Sequence, residues 1–173
     1  MFYRPAGSET SFSFDLIGRA PSWAILVAVN GIDETNPVRS VALTSCDKKK
    51  QSVFPSVNGE ENDLLLLSQA FDDPASDAQF PAPLNTTLVS STRGPDEAGF
   101  VYMKTLTETG PTGKFVTPGD GTGKAACKDA LISIALAAKS TNATLLEGQD
   151  SPNDAVSEGT QNDFFFSVGG FLA

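Results

Sequence analysis

Hydrophobic and polar residues alternate along several short stretches of this chain, which is the pattern of β-strands with one face in a core. In residues 12–16, phenylalanine and leucine alternate with serine and aspartate. Residues 23–29 are apolar at both parities, which is typical of a central strand that is covered on both sides. The pattern therefore predicts two core strands near the N-terminus, and their predicted core residues are Phe12, Phe14, Trp23, Ile25 and Val27.

Other stretches continue the strand pattern through the chain. Residues 125–139 are ambiguous, because their alanines favour a helix while their apolar positions alternate as in a strand. β-Branched residues at the centre, and strands on either side, favour the strand. Four consecutive leucines at residues 64–67 fit a buried strand or one helical turn equally well. The remaining predicted strands span residues 38–44, 86–90, 100–107 and 163–171.

About eight or nine short strands with turn signals between them, and little helix, predict an all-β fold. The expected architecture is an antiparallel, immunoglobulin-like β-sandwich with long loops, and a barrel is the alternative. A chain of 173 residues that is 40% hydrophobic has the material for a single domain over residues 1–173. The loops are predicted where glycine, proline and polar residues are frequent: 52–62, 72–83, 110–124 and 148–162.

The charge balance narrows the choice of partners. The chain has 12 basic and 21 acidic residues and a net charge of −9, so a phosphate backbone or an anionic membrane would repel most of its surface. The longest apolar run, residues 24–29, is far shorter than the roughly 20 residues that cross a bilayer. We therefore expect no nucleic-acid partner and no direct membrane insertion.

Two cysteines and two glycosylation sequons bear on the compartment. Cys46 and Cys127 allow one disulfide, and Asn85 and Asn142 each begin an Asn-x-Thr triplet that can accept a glycan. Together these features favour a secreted, extracellular eukaryotic protein whose signal peptide has been removed or was never included in this sequence. An intracellular domain with two buried thiols is the alternative.

Parts of the sequence resemble the DOMON family. The run SETSFSFDLIGRAPSWAILVAVNG, residues 8–31, is similar to the opening of a DOMON domain, where an alternating strand leads through a turn to a tryptophan-bearing strand. The runs GFVYMKTLTETG and GDGTGKAACKDALISIALAAKS resemble the late pair of strands of that family and the glycine-rich loop between them. The resemblance covers roughly residues 5–170. It implies an extracellular β-sandwich that binds haem or sugar, or joins other modules of a larger protein.

The chain departs from the haem-binding pattern of that family. Haem-binding members use an axial methionine and histidine, whereas this chain has no histidine and its methionines are Met1 and Met103. The Met-Gly-x-x-Asp segment expected after the tryptophan strand is replaced by residues 32–37, IDETNP. The resemblance therefore implies shared architecture, with carbohydrate favoured over haem as a ligand.

The absence of histidine also removes most catalytic chemistry. Neither a Ser-His-Asp triad nor a Cys-His pair can be built. A hydrolase that uses carboxylates alone stays open, with acids from Glu60, Glu61 and Asp63 or from residues 72–77, but the loop-like sequence there favours a solvated surface. Residues 118–125 fail the phosphate-binding pattern GxxxxGK[ST] at its first and last positions. We therefore predict no enzyme and no catalytic residue.

Calcium is the one cofactor that stays open, because oxygen ligands from acidic loops are sufficient to bind it. The candidate ligands form two groups, Asp72, Asp73 and Asp77, and Asp150, Asn153 and Asp154. Neither group has the spacing of an EF-hand, and an ordinary polar loop is the expected interpretation of both.

Aromatic residues near the end of the chain suggest an interaction surface. Residues 164–166 place phenylalanine on both faces of one strand, which an edge strand facing solvent would not tolerate. We expect these residues to be covered within the domain or by a neighbouring subunit, and the interaction candidates are Phe164, Phe165, Phe166 and Phe171.

The predicted function is a non-enzymatic, secreted structural or interaction module. Its partner would be a protein, either a copy of itself in a homo-oligomer or filament, or another extracellular protein. The alternative is a small-ligand-binding domain that takes a carbohydrate or, less readily, haem.

Overall fold

The computed structural model describes residues 2–5, 22–45, 52–72, 81–93, 97–117, 130–139 and 163–171. These residues form strands and contain no helix. The prediction of an all-β, antiparallel, sandwich-like fold is therefore confirmed. The strands are β1 (Phe2–Pro5), β2 (Ser22–Asn30), β3 (Val38–Ser45), β4 (Ser52–Phe54), β5 (Asn58–Gly59), β6 (Leu64–Asp72), β7 (Thr87–Arg93), β8 (Glu97–Thr105), β9 (Gly110–Pro111), β10 (Phe115–Thr117), β11 (Ala130–Leu136) and β12 (Asp163–Phe171).

A five-stranded antiparallel sheet, in the order β3-β11-β6-β8-β7, is the largest of the described sheets. β11 confirms the choice of strand for the alanine-rich stretch, and it lies between β3 and β6. The four leucines that fitted strand or helix begin β6, the central strand. In the described part of the chain, β3 and β7 form the two edges of this sheet.

Both faces of the five-stranded sheet are apolar, and each carries a core. On one face Leu65 and Leu67 pack with Phe54 and Tyr102. On the other face Leu66 belongs to a cluster that also contains residues of β2, β8 and β11. Because successive side chains of a strand point to opposite faces, a run of leucines is the sequence that a strand covered on both sides requires.

β2 packs on the face that carries Leu66, and it belongs to a three-stranded antiparallel sheet in the order β1-β12-β2. Ile25 and Val27 of β2 are buried in this core, as the sequence predicts. Ala28, which lies between the buried residues Val27 and Val29 and points to the other face of β2, is exposed. The prediction that residues 23–29 form a central strand covered on both sides is therefore wrong. Among the described strands of its sheet, β2 lies at an edge, and the central strand is β12, the phenylalanine-rich segment.

The opposite face is covered by two short ribbons, β4 with β10 and β5 with β9. These ribbons lie in stretches predicted as loops, 52–62 and 110–124. The first of these stretches supplies two buried side chains, Phe54 in β4 and Val57 just before β5. Strands of two or three residues are too short to show alternation. The described part of the chain therefore contains 12 strands rather than the expected eight or nine.

Candidate functional site

The one buried carboxylate among the described side chains belongs to Asp63, in the turn that precedes β6. Its partner is Arg39 on β3, whose Nε donates to Asp63 Oδ2 and whose Nη2 lies 3.3 Å from Asp63 Oδ1. Arg39 Nη1 also donates to Glu60 Oε1 at 2.8 Å. We call Arg39, Glu60 and Asp63 the Asp63 cluster.

A β-bulge explains why Arg39 can reach Asp63. The pairing of β11 with β3 moves from Ser40 to Val38 between consecutive β11 residues, so that Arg39 is the extra residue. A bulge redirects the side chain of the extra residue. Ser40 Oγ donates to the carbonyl of Asn58 in β5. The side chains of Arg39 and Ser40 therefore both make contacts on the side of the sheet where the β5 ribbon lies.

Backbone groups from three segments complete the surroundings of Asp63. Its carboxylate accepts the amide of Glu60 at 2.8 Å and the amide of Ala138, beyond the end of β11, at 3.0 Å. Its carbonyl accepts the amide of Leu106, which follows β8, at 2.8 Å. The Asp63 cluster therefore joins β3, β6, β8 and β11 at one end of the sheet.

The Asp63 cluster has the geometry of a structural ion pair. Four N–H donors occupy the two carboxylate oxygens of Asp63, and the side chain is only 1% exposed. The hydrogen bond to Asp63 raises the pKa of Arg39 above its ordinary value, and the nearby negative charges add to this effect. A carboxylate that is fully occupied in this way has no lone pair directed at a substrate, so the arrangement offers no general acid or base.

The loop between β2 and β3 closes over the same end of the sheet. Asp33 Oδ1 accepts the amides of Thr35 and Asn36, at 2.8 and 3.2 Å, which is an Asx-type turn. Glu34 Oε1 lies 3.2 Å from Lys139 Nζ, beyond β11. The carboxylates of Asp33 and Glu34 in this loop therefore bind groups of the protein itself.

A second buried polar group lies inside the core on the side of the β4 ribbon. Gln69 Nε2 donates to the hydroxyl of Tyr102 at 3.0 Å, and both residues are buried. Burial raises the pKa of Tyr102 well above its ordinary value of 10.0, because the phenolate would lose its hydration, although the hydrogen bond from Gln69 acts in the opposite direction. Within the described part of the chain, Gln69 Oε1 and Ser133 Oγ are buried without a hydrogen-bond partner.

The aromatic side chains that the structure describes belong to the core. Phe54, Phe100 and Tyr102 are buried together, with the ring of Phe100 stacked near that of Tyr102 at 6.4 Å. Phe115 is half-buried, and Lys104 Nζ lies 5.5 Å from the centre of its ring. These rings support packing, and none of them is exposed for stacking on a sugar.

Large apolar side chains are exposed at the edges of the five-stranded sheet. On β3, Val41 is 58% exposed and Leu43 is 67% exposed. On β7, Leu88 and Val89 are 44% and 40% exposed. Edge strands present backbone groups to solvent, so apolar side chains at the same place form a surface suited to another strand. We call Val41, Ala42 and Leu43 the β3 edge.

Most of the site residues predicted from the sequence lie outside the described residues. These are Phe12, Phe14, Cys46, Cys127, Asn142, and the calcium candidates Asp73, Asp77, Asp150, Asn153 and Asp154. Asp72 ends β6, where its backbone pairs with Glu97. Within the described ranges no three acidic, cysteine or histidine side chains are grouped to hold a metal ion.

The remaining predicted residues have positions in strands or turns. Trp23 pairs with Gly170 of β12, and its side chain lies outside the described part. Phe164, Phe165 and Phe166 lie in the middle strand of the three-stranded sheet, with β1 on one side and β2 on the other, and Phe171 ends that strand. Asn85 is exposed in the turn before β7, with a φ of 60°.

Sequence reasoning missed Arg39 and the β3 edge. A single arginine inside an alternating strand carries no motif, and its partner is 24 residues away. The exposed Val41 and Leu43 follow the apolar alternation of a core-facing strand, so only the sheet order shows that nothing described covers them.

No protein-family model, no curated protein and no solved structure matches this chain. The resemblance to the DOMON family therefore stays a prediction.

Proposed function

We propose that the protein is a non-enzymatic, secreted structural or interaction module that associates with copies of itself or with other extracellular proteins. The observation that carries this proposal is the β3 edge, where Val41 and Leu43 are more than half exposed on an edge strand. Natural proteins usually protect such edges with charges, prolines or bulges. From Val41 to Ser45, β3 has none of these features.

The polar groups support the non-enzymatic part of the proposal. Asp63 is buried, and both of its carboxylate oxygens accept hydrogen bonds. The positive charge of Arg39 is paired with the carboxylates of Asp63 and Glu60. The Gln69–Tyr102 pair lies inside the core. These described clusters serve the fold, whereas the side chains of Val41 and Leu43 are left exposed by it.

The experiment is a concentration series by sedimentation equilibrium on the full chain. Self-association predicts an average mass that rises from the 18.1 kDa of one chain as the concentration increases from micromolar to near-millimolar. A mass that stays at one chain throughout would contradict the self-associating form of the proposal. Enzymatic hydrolysis of a glycan or peptide substrate by the purified chain would contradict the non-enzymatic part.

A further inference from the structure

We propose that a second copy of this chain binds at the β3 edge, antiparallel to β3, with Ala42 of one copy opposite Ala42 of the other. This inference rests on the proposed function and specifies its partner and its surface. The two five-stranded sheets would then continue into one another across the contact. Strand addition of this kind obtains affinity from backbone hydrogen bonds and specificity from alternate side chains.

The register of β3 favours this edge over the edge at β7. The bulge of β3 lies at Arg39, and pairing with β11 is regular from Val41 to Ser45. On β7 the irregularity falls between Leu88 and Ser90, near the start of the strand and at its exposed apolar residues. Because a bulge disrupts the ladder and twists the strand, β7 is the protected edge and β3 the regular one.

The exposed side chains of β3 continue an existing core. Val41 is opposite Ile134 and Leu43 is opposite Ile132, on the face of the sheet where the Leu66 cluster lies. Ile132 is only partly buried at this end. A neighbouring strand would therefore add its side chains to a surface that is already apolar.

The sequence of the β3 edge is complementary to itself in the proposed register. With Ala42 opposite Ala42, Val41 of each copy lies opposite Leu43 of the other, and this pairing occurs twice by symmetry. Cross-strand pairs of β-branched and aliphatic residues stabilise antiparallel sheets. The two largest exposed side chains of β3 would cover each other on one face.

The expected assembly is a weak, closed dimer. A single pair of strands buries less than the roughly 1,200 Å² of total surface that stable complexes need. A two-fold contact uses the β3 edge of both copies, so growth stops at two chains. A filament would need a second, different contact.

Charge substitutions at the β3 edge test both the surface and the register. V41K/L43K places lysine opposite lysine at both pairs and should weaken dimerisation by at least about tenfold. V41E/L43K places glutamate opposite lysine in the proposed register and should recover dimerisation. L88K, on β7, is the matched control and should dimerise like the wild type. Because all three positions are well exposed, circular dichroism and urea unfolding should show that each variant folds.

The outcomes of sedimentation equilibrium separate the inference from the proposed function. A wild-type chain that is monomeric at every concentration overturns both. A dimer that V41K/L43K leaves intact overturns the β3 edge as the surface, while self-association stands. A dimer that V41K/L43K disrupts and V41E/L43K does not recover overturns the register centred on Ala42. We expect V41K/L43K to lose dimerisation, V41E/L43K to recover it, and L88K to dimerise like the wild type.

Discussion

At the scale of single residues, Asp63 has the largest expected effect on stability. Its carboxylate is buried and accepts from Arg39 and from the amides of Glu60 and Ala138. Removing one partner of a buried pair leaves the other groups without compensation for lost hydration. Asp63 therefore stabilises the fold mainly because its carboxylate accepts hydrogen bonds from N–H donors that would be unsatisfied without it.

We predict that D63N lowers the free energy of unfolding by about 3 kcal/mol, because an amide nitrogen would face N–H donors in place of a carboxylate oxygen. Urea unfolding measures this loss. E60Q is the matched control, since Glu60 is exposed and its pair with Arg39 should contribute no more than about 1 kcal/mol. Equal losses in the two variants would contradict a central role for Asp63.

Tyr102 gives a prediction for alkaline pH. Folding raises its pKa above the ordinary value of 10.0, so the folded chain holds the phenolic proton more tightly than the unfolded chain. The stability that this group contributes is complete below about pH 10 and is lost as the pH rises towards the folded pKa. The slope of this loss can reach about 1.4 kcal/mol per pH unit.

Y102F should remove this slope, although it also leaves Gln69 without its partner and so lowers stability at neutral pH. The measurement is the free energy of unfolding in urea between about pH 8 and pH 11. Y3F changes the other tyrosine and keeps Tyr102, so it should retain the steeper alkaline loss. An unchanged slope in Y102F would show that other groups cause the alkaline loss.

At the scale of strands, local alternation predicted the long elements and missed the short ones. β2, β3, β7, β8, β11 and β12 were expected within a few residues of their bounds, because each shows period-2 alternation or a continuous apolar run. β4, β5, β9 and β10 were expected as loops, since their ribbon pairs are held by partners more than 45 residues away. The pairing of Arg39 with Glu60 and Asp63 was missed for a related reason, because these residues meet through a bulge and a turn that are more than 20 residues apart in the sequence.

Gly59 in β5 gives a prediction about close packing. A Cβ at this position would collide with Cδ1 of Leu106, a buried core residue, and would lie 3.7 Å from Cβ of Ala135. G59A should therefore lower the free energy of unfolding by about 1–3 kcal/mol. N58A, the neighbouring exposed position of β5, should change it by less than about 0.5 kcal/mol. A neutral G59A would show that Leu106 can move without loss of packing.

At the scale of the whole molecule, secretion can be tested through its modifications. Asn85 is exposed in a turn, where Thr86 Oγ1 donates to the carbonyl of Pro83 at 2.7 Å. We predict that Asn85 carries a glycan when the chain is made in a eukaryotic secretory system. N85Q should lower the intact mass by one glycan, and T86A, which keeps the sequon, should not. Secreted protein of the same mass with and without Asn85 would contradict the prediction.

The disulfide between Cys46 and Cys127 stays a prediction, because both cysteines lie outside the described residues. Ser45, one residue before Cys46, pairs with Ala130, three residues after Cys127. The bridge would close a loop of about 80 residues, worth about 4.5 kcal/mol in the chain-entropy model. C46S/C127S should show this loss in urea, with mass spectrometry under non-reducing conditions as the check. Two reactive thiols in native oxidised protein would contradict it.

The position of β11 has a consequence for synthesis on the ribosome. β11 lies between β3 and β6, although it is made about sixty residues after β6. At about 5–20 residues per second, this corresponds to an interval of roughly 3–12 s in which β3 has no neighbour to join it to the nascent sheet. During this interval the apolar side chains of β3 are open to other nascent chains, and a truncation before Ala130 would make that state permanent.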